Sequence, residues 1–282
     1  MWYFKATNQD KIDNYTDYSL SSKFEDILNR FKKSLSTTRI NDPNRIFGEC
    51  SNFYLDIGSN VGVQVRKLYE PELYKDAPVL PIFDKYFGAP ALRKVNTQLC
   101  AIGFEMNPQH TARLRQLETS YRSCRYNVHF YTETAVTAYD GWIEFWTDRD
   151  HDNHEWGAST VYQWNSTAPV NVSALNLGRF LQRHVVPYAN KIVAKIDIEG
   201  QELNVIPSIL TSGSLCNIDV IMMEYHERMI NGNDVDEYGK VKQSINIIMK
   251  RAQCKTLILS LDDETYGVGD QLPFQSCFIS EH

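Results

Sequence analysis

Residues 53 to 62, Phe-Tyr-Leu-Asp-Ile-Gly-Ser-Asn-Val-Gly, constrain the fold of this chain more than any other stretch. An apolar β-type run stops at a carboxylate and two glycines, and helical periodicity starts directly after them. That is the strand, turn and helix of an open α/β sheet. Gly58 and Gly62 allow positive φ and a close backbone approach, while the first turn of the next helix offers N–H groups to an anionic ligand. Asp56 is the unusual member. A carboxylate here suits a ligand that carries an ammonium group beside a carboxylate, as the amino-acid end of S-adenosylmethionine does. Ser59 and Asn60, inside the turn, join Asp56, Gly58 and Gly62 as expected cofactor contacts.

A second strand ends in an acid at Ile102-Gly-Phe-Glu-Met-Asn-Pro108, where Asn107-Pro108 opens a helix. Glu105 is placed to accept both ribose hydroxyls of a nucleoside and Met106 to cover one face of its base, with Asn107 beside them. Charge-assisted hydrogen bonds of this kind contribute about 1.5 to 3 kcal/mol each, enough to fix how a nucleoside sits. Gly62 and Glu105 stand 43 residues apart. That is about twice the roughly 20 usual between a nucleotide turn and its ribose acid. The excess is an insertion at residues 69–97, for which pocket-shaping and structural roles are equally open.

The third signal is Lys195-Ile-Asp-Ile-Glu-Gly-Gln-Glu202. Taken with Leu55-Asp-Ile-Gly-Ser-Asn-Val-Gly62 and Gly103-Phe-Glu-Met-Asn-Pro108, it resembles the FkbM family of S-adenosylmethionine-dependent methyltransferases, in the right order over roughly residues 50 to 226. The segment Ala135-Val-Thr-Ala-Tyr-Asp-Gly-Trp-Ile-Glu-Phe145 is similar to the stretch after that family's third strand. The resemblance implies the α/β fold of Rossmann-like class I methyltransferases: a mostly parallel seven-stranded sheet, helices on both faces, and one antiparallel strand near the C-terminus. It implies S-adenosylmethionine as cofactor and methyl transfer to oxygen, typically a hydroxyl of a polyketide, sugar or similar small molecule. By the same resemblance Ala135 and Ser159 join the cofactor-site candidates.

Apolar runs supply the expected strands Phe53 to Ile57, Leu99 to Glu105, Asn127 to Thr132, Ile192 to Asp197, Asp219 to Glu224, Thr256 to Ser260 and Phe274 to Ile279, with a hairpin around Asp140-Gly141. The short link between the last two strands predicts that one runs antiparallel. Ligands of open α/β sheets bind beyond the carboxyl ends of strands, which puts Asp56, Glu105, Asp197 and Glu224 on one rim. Glu202 is read as supporting the first turn of its helix.

A sulfonium leaves as a neutral group, so methyl transfer needs alignment and removal of the acceptor's proton. His226, Asp197 and Glu199 are the candidate catalytic groups, and Asp197 also belongs to the expected cofactor set. His226 is the first choice of base because an unperturbed imidazole has a pKa of about 6.5. This cluster could hold a divalent cation, but no metal is expected there. In the polar stretch 147–166, His151, Asp152, His154 and Glu155 are competent ligands that read instead as a solvated loop. Trp156, Tyr162, Trp164 and Tyr225 are candidates for an acceptor pocket.

At 282 residues and 43% hydrophobic content, the chain suits one methyltransferase domain at 51–282, preceded by a helical extension at 1–50 packed on the core. Phe24, Ile27, Leu28, Phe31 and Leu35 give that extension its helical spacing. A net charge of −6 argues against broad nucleic-acid binding. No apolar stretch approaches the ~18 residues of a membrane span. The partner that the resemblance implies is a small-molecule or glycan acceptor, with the oligomeric state open. A cytoplasmic location is expected, or a lumenal or secreted one if an N-terminal anchor is missing. Six cysteines without a Cys-x-x-Cys pair read as buried free thiols. Asn14-Tyr-Thr, Asn165-Ser-Thr and Asn171-Val-Ser fit the glycosylation pattern without deciding the compartment.

Two rival functions share these motifs. A nicotinamide-dependent oxidoreductase also uses glycine turns and ribose acids, although Asp56 and the missing third fingerprint glycine oppose it. A non-catalytic nucleotide-binding module could keep the fold without turnover.

Overall fold

Strand-forming residues alternate between two covered faces, and that alternation builds the central sheet. The computed structural model describes residues 45–147, 159–160, 168–226 and 235–261, with Asp263, Thr265, Tyr266, Phe274 and Cys277. In chain order its strands are β1 (Asn52–Ile57), β2 (Leu99–Glu105), β3 (Asn127–Thr132), β4 (Thr134–Thr137), β5 (Gly141–Phe145), β6 (Val170–Asn176), β7 (Lys191–Ile196), β8 (Val220–Met223) and β9 (Leu257–Ser260). The helices are α1 (Val63–Tyr69), α2 (Leu80–Phe87), α3 (Pro90–Val95), α4 (Thr111–Ser123), α5 (Leu177–Phe180), α6 (Glu202–Thr211) and α7 (Val235–Arg251).

Six strands form one sheet in the order β3-β2-β1-β7-β8-β9, and every neighbouring pair is parallel. Chain order runs outward from β1 in one direction and from β7 in the other, so the switch point lies between these two strands. On one face Leu55, Ile102, Ile196 and Ile221 pack against Leu177 of α5, Val205 and Ile209 of α6, and Ile245 of α7. On the other, Tyr54, Ala101, Val193 and Met222 pack against Val65 and Leu68 of α1 and Leu114 and Leu117 of α4. Each large apolar side chain fully buried in this way contributes about 1.5 to 3 kcal/mol. By the same alternation Asp56 shares its face with Tyr54, the face covered by α1.

The seven-stranded expectation is corrected to six strands among the described residues. Strand β9 is parallel to β8 because the long helix α7 crosses between them, and the expected strand Phe274 to Ile279 lies outside the described residues except for Phe274 and Cys277. The expected hairpin at Asp140-Gly141 is also corrected. Strands β4 and β5 do not pair with each other, because β6 lies between them, parallel to β4 and antiparallel to β5.

The insertion between α1 and β2 packs on the sheet. It lays α2 over the sheet, with the Phe83 ring 4.9 Å from that of Tyr54 and the Tyr86 ring 5.6 Å from Lys191 Nζ at the amino end of β7. Buried Arg93 of α3 ties it down by donating from Nε to Leu68 O at 2.9 Å and from Nη1 to Gly88 O at 2.7 Å. The N-terminal extension expected at 1–50 falls outside the described residues up to residue 44.

All six cysteines are paired, as Cys50–Cys100, Cys124–Cys277 and Cys216–Cys254. This corrects the expectation of free thiols, and strand neighbourhood explains it. Cys50 precedes β1 and Cys100 lies in β2, while Cys216 precedes β8 and Cys254 precedes β9, so two bridges join the amino ends of adjacent parallel strands.

Candidate functional site

The turn after β1 is fixed from both sides. Gly58 N and Ser59 N donate to Phe104 O of β2 at 3.0 and 2.9 Å. Gly58 has φ +88°, and a Cβ there would stand 1.7 Å from the carbonyl oxygen of Asp197, just beyond β7. Only glycine allows the two strand ends to come this close. Gly62, at φ +83°, opens α1 where a Cβ would meet Leu117 at 2.6 Å. Ser59 is buried and its Oγ donates to Asp56 O at 3.0 Å.

Glu105 joins this turn to the end of β2. Its Oε2 accepts from Asn60 N and its Oε1 from Asn107 N, both at 2.7 Å. Burial pushes the Glu105 carboxyl up to about 7, despite the two backbone donors. Asn107 is fully buried, and its Oδ1 caps the next helical turn by accepting from Gln109 N at 3.1 Å. Met106, just after β2, packs against the small cluster of Ala135, Phe145 and Val172, which brings it and Ala135 of β4 into one apolar group.

Asp56 is wholly buried, and neither of its carboxylate oxygens has a hydrogen-bond partner. Burial raises its pKa to about 7, and the Lys195 ammonium opposes that rise. Lys195 faces Asp56 in the register of β1 and β7, and its Nζ is bonded to Asp197 Oδ2. Burial disfavours the Lys195 charge, but Asp197 and Asp56 outweigh it and hold its pKa above the ordinary lysine value.

Beyond β7 and β8 a second group of acids converges on one imidazole. His226 Nε2 lies 3.2 Å from Glu199 Oε1, 3.3 Å from Glu224 Oε1 and 3.7 Å from Asp197 Oδ1. Its Nδ1 is 2.5 Å from Oε1 of Glu202, the first residue of α6. The His226 side chain is 3% exposed against 15% to 21% for Glu199, Glu224 and Asp197, so the ring lies beneath the carboxylates. Burial works against its charge, yet hydrogen bonds with Glu199, Glu202 and Glu224 prevail, and the ring's pKa is pushed up to about 12. Asp197, Glu224 and His226 offer ligand atoms within 4.8 Å of one another, close enough to share a metal ion.

Ser159 is brought to the same loop. Its backbone bridges to Trp146 beyond β5, and its Oγ donates to Glu199 O at 2.8 Å. Gln201 Nε2 adds a bond to Thr160 Oγ1 at 2.7 Å. Tyr225 turns toward α7, with Lys242 Nζ 3.8 Å from its ring centre. Trp156, Tyr162, Trp164 and the ligand-type residues His151, Asp152, His154 and Glu155 lie outside the described residues.

Two members of the site do more than their local sequence implies. Lys195 is bonded to Asp197 two residues on, but it also faces Asp56 across the sheet, a relation its local sequence does not show. Glu202 stands at a helix start, as expected, yet it also holds His226 from beneath.

The model of the methyltransferase FkbM domain matches residues 56–253, from the acid of the first turn to just past α7. No curated protein and no solved structure matches the chain. The match covers most of the chain and takes in the glycine turn, both rim acids of β1 and β2, and the His226 cluster. On sheet order, turn geometry and this match together, the chain belongs to the FkbM methyltransferase family.

Proposed function

We propose that the chain is an S-adenosylmethionine-dependent methyltransferase that methylates a hydroxyl of a small molecule or glycan. Asp56 carries this reading: a fully buried carboxylate at the switch point, whose oxygens take no hydrogen bond while the facing Lys195 ammonium is bonded to Asp197, suits a further cationic partner. The ammonium of an amino-acid group fits that requirement, whereas a nicotinamide cofactor carries none. Gly58, Ser59 and Asn60 supply the close backbone, Glu105 the acceptor for the ribose hydroxyls, and Met106 with Ala135 an apolar wall for the base.

When bound, S-adenosylmethionine supplies a methyl group on a sulfonium that departs as a neutral thioether. The acceptor oxygen takes the methyl as its own proton passes to a carboxylate of the cluster; Glu199 is the choice, since it lies nearer the surface than the ring and Asp197 is already bonded to Lys195. His226, already holding a proton, serves as the buried anchor that keeps Asp197, Glu199 and Glu224 together.

The test is transfer of labelled methyl from S-adenosylmethionine into a mixture of hydroxylated small molecules and glycans, with the product identified by mass. Asp56→Ala is expected to abolish binding of S-adenosylhomocysteine, and Glu199→Gln to keep binding while lowering transfer about 10² to 10⁴-fold. Undiminished donor affinity in the Asp56 variant overturns the placement of the amino-acid end.

The three disulfides support an oxidising compartment over the cytoplasm. Among the described residues no helix is long and apolar enough to cross a membrane. Asn171 and Ser173 of one glycosylation triplet are exposed on β6, as a lumenal or secreted location requires of a modified site.

A further inference from the structure

We propose that Asn171 carries an N-linked glycan whose first sugar stacks on Trp142. Asn171-Val-Ser173 is an acceptor triplet, and β6 holds it in period-two alternation. Val172 points inward to the cluster with Ala135 and Phe145, so Asn171 and Ser173 project together from the outer face, where both are exposed. A glycan on this face displaces no packed side chain. Strand β4 pairs with β6 only from Ser173 onward, so among the described strands β5 alone flanks Asn171.

Trp142 is the second observation. It is 73% exposed, although an indole is the largest apolar side chain. In the antiparallel register of β5 and β6 it lies opposite Ser173, while Glu144 lies opposite Asn171, so all four share the outer face. Trp142 is therefore the diagonal neighbour of Asn171, at about 7 to 8 Å, a span that aromatic side chains cross. The C–H face of a pyranose is apolar, and laid on the indole it removes from water the surface that the fold leaves open. In the transfer, the Asn171 amide nitrogen bonds to the anomeric carbon of an oligosaccharide carried on a lipid pyrophosphate. The anomeric C–O bond breaks, the lipid pyrophosphate leaves with the electron pair, and the amide gives up one proton. Ser173 supplies the hydroxyl that acceptor recognition requires. The proposal rests on the oxidising compartment read from the three disulfides and is independent of methyl transfer.

The test uses protein isolated from the cells that make it, treated with peptide N-glycosidase in heavy-oxygen water. The expected result is release of a glycan, heavy oxygen at position 171 in the peptide that carries β6, and no glycan at this position in Asn171→Gln or Ser173→Ala. An unlabelled Asn171 overturns the glycan, and thiol alkylation of the same sample separates the two causes. Paired cysteines with a bare Asn171 sink the glycan and leave the compartment standing, whereas six free thiols with a bare Asn171 remove both. Stacking is read from melting. Removal of the glycan is expected to lower the melting temperature of the parent by about 2 to 4 °C and to leave that of Trp142→Ala almost unchanged. Equal shifts in the two proteins overturn the contact with Trp142.

Discussion

Lys195 stands directly opposite Asp56 in the register of β1 and β7, and its ammonium is bonded to Asp197 on its own chain segment. One buried cation therefore lies between two acids that flank the switch point. Removing one partner from a buried charge set costs about 3 to 5 kcal/mol, because the remaining charges lose their counter-ion. Lys195→Met is expected to lower unfolding stability by about that amount in urea titrations. It should also weaken donor binding at neutral pH, since the same ammonium holds the Asp56 pKa down. A variant as stable as the parent contradicts this account of the pair.

Asp56 and Glu105, the acids proposed to hold the donor, both have their pKa raised by burial. Burial raises Asp56 from 3.8 and Glu105 from 4.5, each to about 7. In the unfolded chain both lose their protons at lower pH than in the fold. Their contribution to stability is therefore complete below the unfolded values and is lost as pH rises through about 7. The proposed donor contacts need both groups ionised, so donor binding is expected to have the opposite dependence. The affinity for S-adenosylhomocysteine is expected to rise from pH 6 to pH 8, with protons released on binding. Calorimetry in buffers of different ionisation enthalpy reads that release, and Asp56→Asn should remove part of the pH dependence of melting. Affinity that is flat across this range counts against either acid as a contact.

Much of this site is legible in the sequence because parallel strands expose their carboxyl ends on one rim. Asp56, Glu105 and Asp197 each follow an apolar run, and a strand-end acid followed by Gly58 or Asn107 is a local pattern. Longer-range relations are not legible. Nothing local to Lys195 shows that β7 inserts beside β1, and that pairing alone sets it against Asp56. His226 reads as a base from its ordinary pKa, but the carboxylates that surround it come from the β7–α6 connection, the start of α6 and the end of β8. Strand β6 is absent from the expected strands although Val170, Val172 and Ala174 alternate with polar residues, a period-two signal. Six cysteines allow 15 pairings, so which pair forms follows from strand order and not from spacing.

Gly58 is the position least able to change. A methyl group there would overlap the Asp197 carbonyl oxygen at 1.7 Å, and φ +88° disfavours any L side chain as well. The strand ends of β1 and β7 would have to separate, which moves Asp56 away from Lys195. Gly58→Ala is expected to destabilise by more than about 2 kcal/mol and to abolish donor binding. A folded Gly58→Ala protein with parental donor affinity would show that the turn is not the cradle.

The disulfides make a prediction that concerns the fold and the compartment together. Cys124–Cys277 closes a sequence separation of 153 residues, Cys50–Cys100 one of 50 and Cys216–Cys254 one of 38. Cross-links over loops of this length restrict the unfolded chain, and loss of one typically costs about 2 to 5 kcal/mol. The Cys216–Cys254 bridge fastens the amino ends of β8 and β9, whose other ends lead into the acid cluster or past it. Paired Cys216→Ser and Cys254→Ser substitutions are therefore expected to lower the melting temperature while preserving donor binding, because Asp56 and Glu105 lie on β1 and β2. Protein made in an oxidising compartment should show no free thiol to alkylation before reduction, and six after it. Six reactive thiols in the folded, unreduced protein would return the chain to a reducing compartment and remove these bridges from its stability.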